Sequence, residues 1–287
     1  RMLYFGTRDG RFNLVYPFFG NVLVGSTDIA IKDPDLAHCS TEEADYLLDA
    51  VRQILPGIPV SRDEVVLTYC GVRPLPRAEG KDIGAVTRDH AIGRDTLPGT
   101  AIPVLSLIGG KWTTHRAFSE QSADAVLTHL GKPRTVTTAD MPIGGGRNYP
   151  QDEATRMAFV ERLARELDVS ADRAGILFDR YGTSVMALKA DLSGEGRTAL
   201  RLLPGYCVGE IIHICRTEQV RRLADLLLRR TAITMEGLLT PDVISETAEI
   251  AARTLAWNDK RKQAEMAFAE AEMARRSITN TRPEQAA

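Results

Sequence analysis

Apolar and polar positions along the chain divide it into two halves of different character. Two β-type runs open it, "RFNLVYPF" (11–18) and "NVLVGSTD" (21–28), with only Phe19 and Gly20 between them, which predicts a hairpin. A helix follows, because Leu47, Leu48, Val51, Ile54 and Leu55 recur on one face, Ser40 and Glu43 form a capping-box pair, and Pro56–Gly57 stops the pattern. A third β-type run, "EVVLTYCGV" (64–72), leads into a polar, proline-rich stretch. A short strand at 83–88 and the loop "GRDTLPGT" (93–100) come next. "AIPVLSLI" (101–108) is apolar without interruption, so it is expected inside a sheet covered on both faces, with a helix from about Thr113 to Leu130.

Beyond that point the period becomes helical throughout. The stretch from Gly131 to Pro150, with Gly144, Gly145 and Gly146, reads as a linker. Met157, Val160, Ala164 and Leu167 hold helical spacing and Ser170 is the next N-cap. One helix is expected over 209–230 and a last one from Thr240, with Pro241 at its first position, to about Arg276. The expected domains are 1–133, a linker at 134–152, a helical domain at 153–276 and a tail at 277–287.

Composition changes this picture little. Apolar residues make up 44% and charged residues 26% of 287, as in ordinary globular proteins, and 36 basic against 38 acidic residues leave a net charge of -2. That balance argues against nucleic acid as a partner. Cys39, Cys70, Cys207 and Cys215 form no C-x-x-C pair, so neither a zinc site nor a disulfide framework is expected, no metal site is assigned, and reduced thiols fit a cytoplasmic setting. No apolar run reaches the roughly 18 residues of a membrane span. The chain starts without Met and almost directly on a strand, and is expected to be part of something longer.

The densest chemistry lies in "SLIGGKWTTHR" (106–116). Gly109 and Gly110 let backbone approach a ligand, the first N–H groups of the following helix carry partial positive charge, and Lys111 adds a full one. A phosphate-binding P-loop fails on spacing, since Leu105 and Trp112 stand where Gly and Ser or Thr are required; a plain tight turn is the competing reading. Arg73, after an apolar run, and Arg88, ending the next, carry guanidinium forks suited to phosphate or carboxylate; each alone reads rather as a surface ion-pair partner, and only their shared placement at strand ends favours a pocket. "GSTD" (25–28) is either a site wall or a turn with an Asp cap. His90 and His115 are candidate proton acceptors. His213 sits on an apolar helix face and reads as a core histidine. The five arginines of "RTEQVRRLADLLLRRTAI" (216–233) read as a solvated basic face over a leucine stripe.

Taken in order, "RFNLVYPFFGNVLVGSTD", "STEEADYLLDAVRQILP", "SRDEVVLTYCGVRPL", "AVTRDH" and "LSLIGGKWTTHR" resemble the FAD-dependent glycerol-3-phosphate dehydrogenases, and "RTEQVRRLADLLLRRTAI" resembles their C-terminal domain. The fold class implied is mixed α+β and α/β. A mostly antiparallel substrate-domain sheet and one returning strand and helix of the FAD domain (about 101–130) would precede an all-α domain. The resemblance implies FAD as cofactor, with Gly109, Gly110, Lys111, Trp112 and Thr113 meeting it. It assigns Arg73, Arg88 and Lys111 to substrate binding, and Arg73 and Lys111 to catalysis. The implied reaction takes sn-glycerol 3-phosphate to dihydroxyacetone phosphate with electrons passed to a membrane quinone, at the cytoplasmic side, and leaves room for peripheral membrane contact and a homodimer. The general base is unassigned. The family's initial G-x-G-x-x-G fingerprint is absent here, so the chain alone is expected to be inactive. A flavin oxidase of amino or hydroxy acids, and a non-catalytic helical module, are the competing functions.

Overall fold

The computed structural model describes residues 1–7, 9–73 and 89–278. These form two compact units that interleave along the chain: one of 1–27, 38–69 and 143–287, the other of 28–37 and 70–142. The linear division expected at 133–153 therefore differs from the spatial one. The hairpin shares a unit with the helices, where the Asn21 amide donates to the Glu236 carbonyl at 3.1 Å.

In the first unit, β1 (Leu3–Gly6), β2 (Phe12–Phe18) and β3 (Asn21–Gly25) make an antiparallel sheet in sequence order. Phe19 (φ 47) and Gly20 (φ 77) close β2 and β3 as a two-residue turn with both central residues left-handed, as the strand twist demands. Helix α1 (Thr41–Ile54) lies against β2 and β3. Its capping box forms as expected, Ser40 Oγ accepting from the Glu43 N–H and Glu43 accepting from the Ser40 N–H. Asn13, fully buried on β2, donates to the Tyr46 hydroxyl of α1 at 3.2 Å.

The helices of this unit enclose two cores. α3 (Glu153–Leu167) and α4 (Ala171–Tyr181) bury Leu163, Leu167, Leu177 and Phe178 against Val185 and Leu188. α5 (Val208–Thr217), the short α6 (Leu223–Asp225) running into a π turn (Leu226–Arg230), α7 (Pro241–Leu255) and α8 (Asp259–Ala274) bury a larger set, including Ile211, Leu223, Ile233 and Ile244. Two expected helices are each broken. The 209–230 pattern stops at Thr217 and reverses through left-handed Gln219 (φ 52), and the Asp225 carboxylate then takes the N–H groups of Arg221 and Arg222. The last helix ends at left-handed Ala256 (φ 55), and Asn258 caps α8 through the Arg261 N–H at 2.8 Å. Neither break carries a proline or a glycine, so periodicity alone ran through both.

The glycine run expected as a free linker is docked. Gly145 (φ 78) and Gly182 (φ 56) cross backbone on backbone, and a Cβ on either would overlap a carbonyl oxygen across the crossing. Thr183 fastens it, its N–H and hydroxyl both reaching the Gly145 carbonyl at 2.9 and 3.0 Å.

In the second unit β4 (Ala91–Thr96) and β5 (Pro103–Ile108) form an antiparallel hairpin, followed by a 3₁₀ turn (Trp112–Thr114) and α2 (His115–His129). Three expectations need correction. Residues 64–72 form no strand, because among the described residues they find no pairing partner. Part of the 93–100 loop is β4. β5 is not covered on both faces: β4 is its single described neighbour, and Leu107 remains 57% exposed. An apolar run shows that a strand can be buried, not that this chain supplies the cover. The strand expected at 83–88 lies outside the described residues.

Candidate functional site

β5 delivers the chain into Gly109 (φ 72) and Gly110 (φ 95), backbone angles that side chains rarely adopt. A Cβ on Gly109 would press on the Asp89 carbonyl oxygen, so the turn closes tightly over the start of the β4 segment. Lys111 then opens the 3₁₀ turn. Its N–H donates to the Thr114 hydroxyl at 3.0 Å, and that hydroxyl donates back to the Lys111 carbonyl at 3.1 Å. His115 Nδ1 lies 2.6 Å from the Trp112 carbonyl oxygen, which pins the turn to the first residue of α2.

His90 supports this turn from beneath. Its ring lies 4.5 Å from the Phe118 ring, its Nε2 is 2.8 Å from Gln121 Oε1, and its Cβ faces Gly110. The expected proton acceptor is thus engaged in holding the glycine turn to α2, and His115 is engaged in the 3₁₀ turn. Thr114, Phe118 and Gln121 were not foreseen as parts of the site. The threonine placed three residues after Lys111 is the one local signal that pointed to it.

The turn leaves its polar groups facing outwards. The N–H groups of Gly110, Trp112 and Thr113 have no backbone acceptor among the described residues, and Trp112 is 94% exposed. The Lys111 ammonium makes no hydrogen bond or ion pair there either. Three donors and a cation together suit an anion or an electron-rich carbonyl edge. The structure thus gathers Gly109, Gly110, Lys111, Trp112 and Thr113 into one feature.

Arg73 reaches Asp28 of the "GSTD" segment, Nη1 to Oδ2 at 3.3 Å, with both side chains partly exposed. The segment thus supplies an ion-pair partner to the arginine. Arg88 lies outside the described residues. On the second turn of α2, Glu120 accepts from the Thr138 N–H and from the hydroxyls of Thr137 and Thr138, which hold its carboxyl down at about 2.

Known proteins carry the same pattern. Residues 2–103 match the family model described as FAD dependent oxidoreductase, and residues 136–262 match the C-terminal domain of alpha-glycerophosphate oxidase. A glycerol-3-phosphate dehydrogenase of Synechocystis sp. is 30% identical over 231 residues, which is 79% of this chain and 41% of that protein. An aerobic glycerol-3-phosphate dehydrogenase of Bacillus subtilis is 28% identical over 240 residues, 80% of this chain and 42% of its own length. The chain thus spans about two fifths of these relatives. The fold matches the structure of the glycerol-3-phosphate dehydrogenase from Bacillus halodurans complexed with FAD, with a TM-score of 0.80 and 23% identity over 99% of this chain and 55% of that one. Two family models that together cover most of its length, and relatives that agree with one another, make this chain similar to part of an FAD-dependent glycerol-3-phosphate dehydrogenase.

Proposed function

We propose that this chain supplies the substrate-binding and flavin-facing residues of a dehydrogenase that oxidises sn-glycerol 3-phosphate to dihydroxyacetone phosphate. The observation that carries the reading is the Gly109–Thr113 turn, where N–H groups without a backbone acceptor among the described residues and the Lys111 ammonium converge at the start of a helix. They fit the electron-rich carbonyl edge of an isoalloxazine ring. Bound there, FAD supplies the hydride acceptor for C2 of the substrate.

The chain's own residues hold the substrate. Arg73 and Arg88 grip the phosphate oxygens through guanidinium forks, and Asp28 orients Arg73 from behind. Lys111 stands between phosphate and flavin and lowers the energy of negative charge as a general base takes the C2 hydroxyl proton. Residues 28–37 and 70–142 serve this chemistry, a quinone at the membrane receives the electrons, and the helices of 153–276 form the accompanying domain. No described helix is long and apolar enough to cross a membrane; the membrane contact in this reading is peripheral. The match to an alpha-glycerophosphate oxidase domain favours a phosphorylated substrate over an amino or hydroxy acid.

Two measurements test this. Purified alone with added FAD, the chain is expected to show no stoichiometric flavin absorbance, since it lacks a dinucleotide fingerprint; a full flavin spectrum would overturn the half-site reading. Joined to the preceding part of the Synechocystis dehydrogenase, it is expected to oxidise glycerol 3-phosphate. Lys111→Ala and Arg73→Ala should each then lower kcat/KM by about 100-fold. A chimera that binds FAD but prefers a carboxylate substrate would sink the assignment.

A further inference from the structure

A 390 Å³ cavity opens in the helical part of the first unit, between one face of α5, one face of α7 and the loop 190–196. It is independent of the flavin-facing turn, and neither the proposed reaction nor the family resemblance uses it. Its volume falls in the lower range of small-molecule sites. Val208 and Ile212, four residues apart on α5, and Ile250 of α7 supply an aliphatic floor.

The wall is built rather than incidental. The Asp191 side chain is only 11% exposed, and its carboxylate is held by Arg216 Nη1 at 2.5 Å and His213 Nδ1 at 2.9 Å. Its backbone carbonyl is wedged against Gly196 and Gly209, where a Cβ on either residue would overlap the oxygen. The loop is thus packed directly onto the first turn of α5 at the edge of the cavity. His213, read from sequence as a core histidine, belongs to this wall.

The charges at the opening are unevenly used. Asp191 and Arg216 neutralise one another. Glu195 and Arg253 also line the cavity, yet neither side chain has a hydrogen bond or ion pair among the described residues, and they do not pair with each other. One open anion, one open cation and an aliphatic floor match a ligand with an ammonium, a carboxylate and a short apolar body. A simple anion would meet Arg253 but face Glu195, and a simple amine the reverse. We propose that this cavity binds a small zwitterion with an aliphatic body, of the class of the free aliphatic α-amino acids. Arg253 takes the carboxylate, Glu195 the ammonium, and Val208, Ile212 and Ile250 the side chain.

Equilibrium dialysis of the whole chain against labelled L-leucine tests the site, with isocaproate and isopentylamine as analogues that each lack one charge. Saturable leucine binding is expected, weakened roughly tenfold or more by Arg253→Gln and by Glu195→Gln, with both analogues comparably weak. Both positions are exposed and unpaired, so the variants should keep the fold, which circular dichroism would verify. Absence of leucine binding overturns the proposal. So does leucine binding that survives both substitutions, or an isocaproate affinity equal to that of leucine and indifferent to Glu195→Gln, which would mark a plain anion site. None of these outcomes depends on flavin or on glycerol phosphate.

Discussion

The Arg180 guanidinium lies 2.8 Å from Oε1 of Glu210, a carboxylate with no solvent exposure at all. Tyr181 donates to the same oxygen at 2.9 Å, and the Arg180 guanidinium carbon sits 3.6 Å from the centre of the Tyr206 ring. Burial, reinforced by the carboxylate charge, pushes the Tyr181 hydroxyl well above the ordinary tyrosine range. Arg180 also reaches the Gly205 carbonyl at 2.9 Å, so one ion pair ties α4 to α5 and to the loop before it. A buried charge of this kind is costly to leave alone.

Removing one partner is therefore expected to cost more than removing both. Arg180→Ala should destabilise the chain by about 3–5 kcal/mol, because it strips the fully buried Glu210 of its cationic partner. Arg180→Met combined with Glu210→Leu should recover a large share of that loss. Urea unfolding of the three proteins decides the matter, and a single-variant cost below about 1 kcal/mol would contradict the buried-pair account.

The glycine run permits a matched comparison within three residues. Gly145→Ala and Gly182→Ala each force a side chain onto left-handed backbone and into a carbonyl oxygen, and should cost roughly 1–3 kcal/mol. Gly144 has open space around its Cβ position and no left-handed angle, so Gly144→Ala should stay within about 0.5 kcal/mol. Equal effects at 144 and 145 in thermal unfolding would mean that the crossing does not hold in solution.

Acid should loosen the 137–139 segment before the rest of its unit. The Glu120 carboxyl titrates at about 2 when folded, against an ordinary 4.5. A depressed carboxylate contributes stability that is complete above its unfolded value and is lost as pH falls through its folded one. Hydrogen exchange at the Thr138 amide should thus accelerate between pH 4.5 and 2. Glu120→Gln should show weak protection that is flat across the same window. A wild-type profile without that pH dependence would remove Glu120 from the role.

Much of the architecture was readable from local chemistry. The hairpin turn at Phe19–Gly20, the Ser40–Glu43 box, the Ser170 and Thr240 caps and the change to helical period in the second half all appear where the residues place them. Each rests on interactions within a few residues of chain, which a sequence states directly. The same holds for the Gly109–Thr113 turn, whose left-handed angles follow from its two glycines.

Long-range partners had no such local sign. Arg73 could be seen as a guanidinium at the end of an apolar run, but its pairing with Asp28 joins positions 45 residues apart. His90 looked like a base and is a brace, because Phe118 and Gln121 come from α2. The breaks at Gln219 and Ala256 fall on left-handed residues, and beyond the first Glu265 of α8 caps the Leu223 N–H at 3.0 Å, a partner 42 positions away. By itself the sequence determined which segments can be helix or strand, where they are capped, and which cluster of glycines and cations could meet an anion. Only the tertiary structure decided which charges are spent on one another and which stay open, because pairing depends on distances between segments that hydrophobic periodicity does not encode.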